Sequence, residues 1–284
     1  MASPGGCEIC GSATASWPLK GGGSLERCTE CAHLIRTLAS APANHRDAAY
    51  GGDPSMDGVR TALTYRALCR GGSPGAVFEI GFGSGALLRK FYDGGARIAG
   101  VDPGQLGVGV DELVRARAKL WRGTIEDVPA GAFAADLVVG IHVIEHVDAP
   151  IATLQRSASL LKPGGRVVLF TPAGDSWGPT TFGSAWWMLE DPTHVRFFSA
   201  ASLTHAARRA GLSDIRVDRL VIDSLSVDVA SMVRAVRPPG SDGALASTWV
   251  RSLALASAPA VVAARLVRPR MRATLRLSAR RGST

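Results

Sequence analysis

The stretch Ala76-Val-Phe-Glu-Ile-Gly-Phe-Gly-Ser-Gly-Ala86 constrains this chain more than any other. A short apolar run carries an acid, Glu79, and glycines follow at alternate positions 81, 83 and 85 before Leu87-Leu88-Arg89-Lys90. The pattern predicts a strand, a glycine turn and a helix N-terminus. Glycines there let the backbone turn sharply and let a ligand approach the main chain. The first free N–H groups of the helix favour an anionic or polar ligand end. Taken alone, the turn is ambiguous, because Gly81-x-Gly83-x-x-Ala86 also satisfies the dinucleotide fingerprint.

What surrounds the turn narrows the choice. Val77–Ile80, Arg97–Val101, Lys119–Arg122, Asp136–Ile141 and Arg166–Thr171 read as strands. Helical patterns over Met56–Arg70, Ala86–Tyr92, Val108–Lys119 and Ile151–Leu161 separate or precede them. Such alternation with short turns predicts a doubly wound parallel α/β sheet. Asp102 closes the second strand, where a carboxylate can accept hydrogen bonds from ribose hydroxyls. Beyond Pro172, residues 173–195 hold Trp177, Phe182, Trp186, Trp187 and Met188 with few charges, a composition suited either to cover a cleft or to pack as a crossover. Phe198–Ala210 reads as a helix capped by Ser199, Asp214–Ile222 as a strand, and Met271–Ala279 as the last strand. Tyr50 is the one aromatic of a linker rich in Ala, Pro, Gly and Asn.

Four of the five cysteines form two knuckles, Cys7-x-x-Cys10 and Cys28-x-x-Cys31, separated by seventeen residues. Each knuckle offers two sulfurs from one tight turn, and together they match a four-thiolate structural zinc site with no open position. Cys69 reads as a core residue. Met1–Cys7 has neither a basic region nor an apolar core, so a cytoplasmic location with reduced thiols is expected. The formal charge of +8 is local: residues 265–284 hold seven Arg and no Lys, Asp or Glu, leaving +1 for the rest (8 − 7 = 1). The apolar stretch 244–268, broken by Pro259 and followed by arginines, suits packing over the sheet, a partner surface, or contact of 244–284 with an anionic membrane. Five segments follow: a zinc-ribbon-like module (1–40), a linker (41–56), the α/β core (57–222), a helical insertion (223–269), and the last strand with a basic tail (270–284).

Four ordered motifs, Phe78-Glu-Ile-Gly-Phe-Gly-Ser-Gly85, Gly100-Val-Asp102, Val143-Ile-Glu-His-Val147 and Leu161-Lys-Pro-Gly-Gly165, resemble the class I S-adenosylmethionine-dependent methyltransferases over about residues 57–222. The cysteine module ahead of such a core resembles, by architecture, bacterial small-molecule methyltransferases that include deoxysugar C-methyltransferases. The resemblance implies seven strands with the last antiparallel. It places Gly81, Phe82, Gly83 and Gly85 along the methionyl part of S-adenosylmethionine, Glu79 at its amino end, and Asp102 with Pro103 at its ribose. The family often has an acid after the glycine of the third-strand loop; here stands Thr124, so the adenine contact falls to Thr124, the Ile125 backbone or Glu126.

Methyl transfer needs an acceptor aligned with the methyl group and a base where the acceptor is not already nucleophilic. His142, Glu145 and His146, on one face if helical, and His194 from the later loop are the candidate catalytic residues, with His142 also near the cofactor. The Glu-His pair is similar to that of ubiquinone-type O-methyltransferases and small-RNA 2′-O-methyltransferases. Some of these use a divalent ion, so a base site and a metal site both stay open. The leading expectation is methyl transfer to oxygen or carbon of a metabolite or sugar nucleotide. An RNA methyltransferase using the basic tail, and a catalytically silent binding scaffold, are the alternatives; nucleic acid is not the expected partner.

Overall fold

The computed structural model describes residues 6–37, 39, 54–104, 109–237 and 243–282. Tyr50, linker residues 41–53, Val108 and the Pro238-Pro-Gly240 interruption lie outside the described residues. The chain begins with β1 (Thr14–Pro18), β2 (Ser24–Cys28) and β3 (Leu34–Ile35). There follow α1 (Pro54–Leu68), β4 (Ala76–Ile80), α2 (Ala86–Asp93), β5 (Arg97–Asp102), α3 (Glu112–Arg117), β6 (Lys119–Arg122) and β7 (Ala135–Ile141). Next come α4 (Pro150–Ser159), β8 (Leu161–Pro172), α5 (Trp177–Phe182), β9 (Arg196–Phe197) and α6 (Ala200–Arg209). The chain closes with β10 (Leu212–Leu220), α7 (Val227–Val236), α8 (Thr248–Val267) and β11 (Thr274–Arg281).

Seven strands form one sheet in the order β10-β11-β8-β7-β4-β5-β6, with the last strand of the chain antiparallel to its neighbours. β4 lies inside the sheet, paired in parallel with β5 on one side and β7 on the other. All five of its residues are buried, as a strand covered on both faces requires. Strand order reverses on either side of β4, so the turn after it lies at the position where open α/β sheets leave a crevice.

Several expectations shift in detail. The helix expected over Val108–Lys119 is only Glu112–Arg117. Asp111 caps it by accepting the Leu113 and Val114 N–H groups, and Ala118 returns to extended backbone. Lys162–Gly165 lies within β8 instead of ending a helix before it. Leu161 pairs with Ala135, Arg166 with Leu137, and the register shifts between them, so the Pro-Gly-Gly segment is an excursion inside one strand. Residues 142–147 form a turn and not a helix. Cys69 is half-buried and not a core residue. Pro259 does not break α8, which continues through it; the proline is exposed, and burial of Val250, Ala254 and Arg265 on either side holds the helix.

The chain forms two compact units that cut across its sequential segments. One comprises Asp53–Phe170, Ala207–Arg216 and Leu277–Thr284 and carries most of the large sheet. The other comprises Met1–Gly52, Thr171–Ala206 and Val217–Arg276. In this second unit β9 adds to the ribbon as a fourth strand, in the order β1-β2-β3-β9. Trp186, Met188, Leu189 and Phe197 pack with Leu19, Leu25 and Leu34 in one apolar cluster. The aromatic segment is thus largely the core of the cysteine module: Trp186 is fully buried there. α8 packs on α7 through Val229, Ala230, Val250 and Ala254.

A fully buried ion pair ties α7 to α8: Arg265 Nη2 lies 3.1 Å from Asp228 Oδ2, and the same guanidinium donates to the Asp223 and Ser224 carbonyls. Asp228→Ala should cost about 3–5 kcal/mol in denaturant unfolding, because it strands a buried cation. Asp218→Ala, removing the half-exposed partner of Arg276, should cost less than about 1 kcal/mol.

Candidate cofactor and active site

At the carboxyl end of β4 the chain turns through Gly81, Gly83 and Gly85, all with positive φ of 68°, 52° and 79°. A Cβ at 81 would lie 2.8 Å from Val143 Cγ2, and one at 85 would lie 3.0 Å from Val114 Cγ1. A Cβ at 83 would meet nothing within 4 Å, so the backbone there faces open space. Backbone shape thus favours glycine at all three positions, close packing adds to it at 81 and 85, and an open main-chain edge is left at Gly83. The helix that follows, α2, has Gly85 as its cap and no side-chain cap. Asp102, at the end of β5, clamps the turn: its Oδ2 accepts the Gly83 N–H at 2.9 Å and its Oδ1 the Gly104 N–H at 2.6 Å.

Glu79 is the electrostatic anomaly of the site. Its side chain is buried, and Oε2 has no hydrogen-bond partner. Burial pushes its carboxyl well above the usual carboxylate range, Asp102 adds repulsion, and only a hydrogen bond from the Leu88 backbone acts the other way. An acid left so at a strand end, beside an open glycine turn, is suited to a cationic or hydrogen-donating ligand end. Phe82 is half-buried in the turn, and Pro103 is exposed just past Asp102.

Along the same edge, Thr124 starts a turn of 3-10 helix, with its N–H and hydroxyl 2.7 and 3.1 Å from Asp127 Oδ2. Ile125 is buried. The Glu126 carboxylate accepts the Thr153 hydroxyl at 2.7 Å, which ties it to α4.

After β7 the backbone N–H of His142 continues the ladder by donating to the Phe170 carbonyl, and the residue then adopts φ 53°. Left-handed backbone in a histidine costs energy that packing must supply. The turn brings His142 Nδ1 within 2.9 Å of Glu145 Oε1; Glu145 is fully buried and His142 nearly so. The i, i+3 contact expected from a helix is therefore made by a turn. An Nδ1–H donating to the carboxylate would fix the ring's orientation and tautomer. His146 is half-buried in this turn. His194 belongs to the other unit, where its Nδ1 lies 2.9 Å from the Met188 carbonyl oxygen.

The four knuckle cysteines converge, with their sulfurs all within 4.8 Å of one another. Three separations are 3.4, 3.5 and 3.7 Å, close to the edge of about 3.8 Å of a tetrahedron with metal–sulfur bonds of about 2.3 Å. Burial alone would raise the Cys10 thiol, but hydrogen bonds with Ser12 and the neighbouring cysteines bring it down to about 6. Glu8, inside the first knuckle, accepts two hydrogen bonds from Arg196 at 2.8 and 3.0 Å and lies 3.0 Å from His33 Nε2. Burial would raise its carboxyl, yet His33 and Arg196 hold it below the usual range. Arg196, far along the chain, was invisible in the knuckle spacing, and no local signal points to it.

A family model described as a methyltransferase domain matches residues 56–217, more than half of the chain. This chain belongs to that methyltransferase-domain family. A ubiquinone biosynthesis O-methyltransferase of Cereibacter sphaeroides is 31% identical over 160 residues, covering 53% of this chain and 65% of that protein. One of a Bradyrhizobium species is 36% identical over 100 residues, covering 34% and 39%. The chain thus spans less than two thirds of the length of these curated relatives. Among solved structures, Haemonchus contortus phosphoethanolamine N-methyltransferase 2, in complex with S-adenosyl-L-methionine, aligns at TM-score 0.54 and 16% identity over 79% of this chain and 53% of that one. The [4+2]-cyclase SpnF aligns at TM-score 0.53 and 16% identity over 85% and 88%. These likenesses establish the methyltransferase fold; the cyclase among them shows that the fold alone does not name a reaction.

Glu79 carries a measurable signature. The folded protein keeps its proton at pH values where the unfolded chain releases it, so this residue's contribution is most favourable below the ordinary carboxylate range. It is lost as pH rises from there towards the raised folded value. Glu79→Gln should therefore raise the thermal midpoint of the ligand-free protein, more at pH 8 than at pH 5. An equal gain at both pH values would show that the carboxyl is not held protonated.

Proposed function

We infer that this chain transfers the methyl group of S-adenosylmethionine to oxygen or carbon of a small-molecule acceptor. The observation that carries this reading is the buried Glu79 carboxyl, with Oε2 unpartnered, beside the Gly81–Gly85 turn in a chain of the methyltransferase-domain family. Bound S-adenosylmethionine would supply a methyl group already activated by its sulfonium. Glu79 would meet the amino end, ionising as the ammonium arrives. The Gly83 edge would lie along the methionyl chain, and Asp102 at the ribose. Thr124, with the Ile125 main chain, would border the adenine. Cofactor affinity should rise with pH as Glu79 ionises, with proton release on binding seen by calorimetry in buffers of different ionisation enthalpy. Glu79→Gln should weaken binding by at least about 2 kcal/mol, or roughly 30-fold. A folded protein showing no heat with S-adenosylmethionine or its demethylated product would end this reading.

On the acceptor side, His142 acts as base through Nε2, and Glu145 holds its tautomer and carries the developing imidazolium. His142→Asn, which tolerates the left-handed backbone, should lower kcat by about 10²–10⁴-fold with cofactor affinity little changed. Glu145→Gln should lose less and shift the pH profile. The relatives named as ubiquinone O-methyltransferases support oxygen as the accepting atom. Acceptor identity is open to a mass-spectrometric screen of metabolites with labelled cofactor. RNA is not favoured: Arg272 donates to the Arg265 carbonyl, Arg276 pairs with Asp218, Arg280 donates to the Gly164 carbonyl, and Arg281 to that of Leu161, so four of the six arginines after Arg265 are engaged within the fold.

The Cys7, Cys10, Cys28 and Cys31 set would hold one structural zinc. Metal analysis should find about one zinc per chain, and chelation should lower the thermal midpoint, since the metal's binding energy is folding energy. A metal-free protein of unchanged stability would remove the zinc.

A further inference from the structure

α8 presents its surface the wrong way round for a helix facing water. Trp249, Leu253, Ala256, Ala260, Ala263 and Val267 recur at intervals of four and three residues, and all six are exposed. Leu255 and Leu266 widen this stripe, and the charged residues of Thr248–Val267 are two arginines, Arg251 half-buried and Arg265 fully buried. Five of the ten large apolar side chains exposed among the described residues sit on this one helix. From Trp249 to Val267 the stripe is about 27 Å long, at 1.5 Å per residue. A contiguous apolar strip of that size on a soluble surface marks a contact.

The charges around the stripe indicate what covers it. Residues 243–282 contain eight arginines and no Asp, Glu or Lys. Arg268 and Arg270, just past the helix end, are exposed. A second copy docked on this stripe would bring arginines of one chain to a segment with no acid to answer them. An anionic lipid surface answers both halves, taking the apolar stripe into its headgroup boundary and the arginines against its phosphates. The helix is also long and apolar enough to cross a bilayer, with a mean hydropathy of 1.5. Crossing would strip it from α7, because Val250 and Ala254 are buried against that helix and Arg265 is locked to Asp228. A helix lying in the interface keeps those contacts.

We propose that the exposed face of α8 docks this protein on an anionic membrane surface, with Trp249, Leu253, Leu266 and Val267 inserted and Arg268 and Arg270 at the lipid phosphates. Docking of this kind is independent of the methyl-transfer chemistry. Flotation of the full chain with vesicles of phosphatidylcholine, alone or mixed with phosphatidylglycerol, tests it. The protein should float with the mixed vesicles, float far less with neutral ones, and be released by salt. Replacing both Arg268 and Arg270 by alanine should weaken partition roughly 30-fold, at about fivefold per arginine. Leu253→Gln with Leu266→Gln should abolish flotation while leaving the melting midpoint and cofactor binding in place, since both side chains are exposed. Absence of wild-type flotation with mixed vesicles would overturn the proposal, as would equal binding to both vesicle types. So would a dimer dispersed by the leucine substitutions in a protein that ignores vesicles.

Discussion

A carboxyl group inside a sheet must either find a counter-charge or keep its proton, and Glu79, one residue from the end of the interior strand β4, is under that constraint. The neighbourhood makes sense around it. Three glycines carry the chain off β4 without placing a side chain over the acid, α2 starts with a bare N-terminus, and Leu88 offers its backbone N–H. Asp102 spends both oxygens on the turn backbone, which fixes the loop geometry but adds negative potential to the pocket. The ligand-free protein therefore holds a local debt that a cationic ligand end would cancel. Local violations of folding rules gather where function needs them.

The His142 turn follows the same logic with a different device. A histidine in left-handed backbone, a fully buried glutamate beside it, and a main-chain bond back to β8 make an imidazole with little freedom. If His142 serves as the proposed base, a ring fixed before the acceptor arrives would remove an entropy cost from the reacting state. The second unit solves a separate problem. A ribbon of about forty residues has too little apolar surface to stand alone. It gains Trp186, Met188, Leu189 and Phe197 from later in the chain.

Legibility followed the range of the interactions. The glycine turn, Asp102, the cysteine knuckles and the alternation of strands and helices are local patterns, and each appears close to where the residues predicted it. The seven-strand sheet and its antiparallel last strand came with the family resemblance. What stayed hidden depends on partners distant in the chain: Arg196 on Glu8, Arg265 on Asp228, Trp186 inside the ribbon. Arg265 reads in the sequence as part of a basic tail and is fully buried in the structure. The spacing of His142, Glu145 and His146 suits a helix face, but turn and helix share the i, i+3 approach, and only backbone geometry separates them. α8 kept its helix through Pro259 because tertiary packing on α7 outweighs one lost hydrogen bond.

The pairing of β3 with β9 joins residues 34–35 to 196–197. Although the cysteine module opens the chain, its sheet closes only after some two hundred residues have been made. During synthesis the knuckles can gather their sulfurs early, whereas the strand that completes their sheet arrives late, after most of the α/β segment has been made. The module is for that reason no detachable cassette. Grafting residues 1–40 onto another enzyme would carry the ligands without the edge strand and aromatic core that complete them, and this long-range closure should weigh on the folding rate.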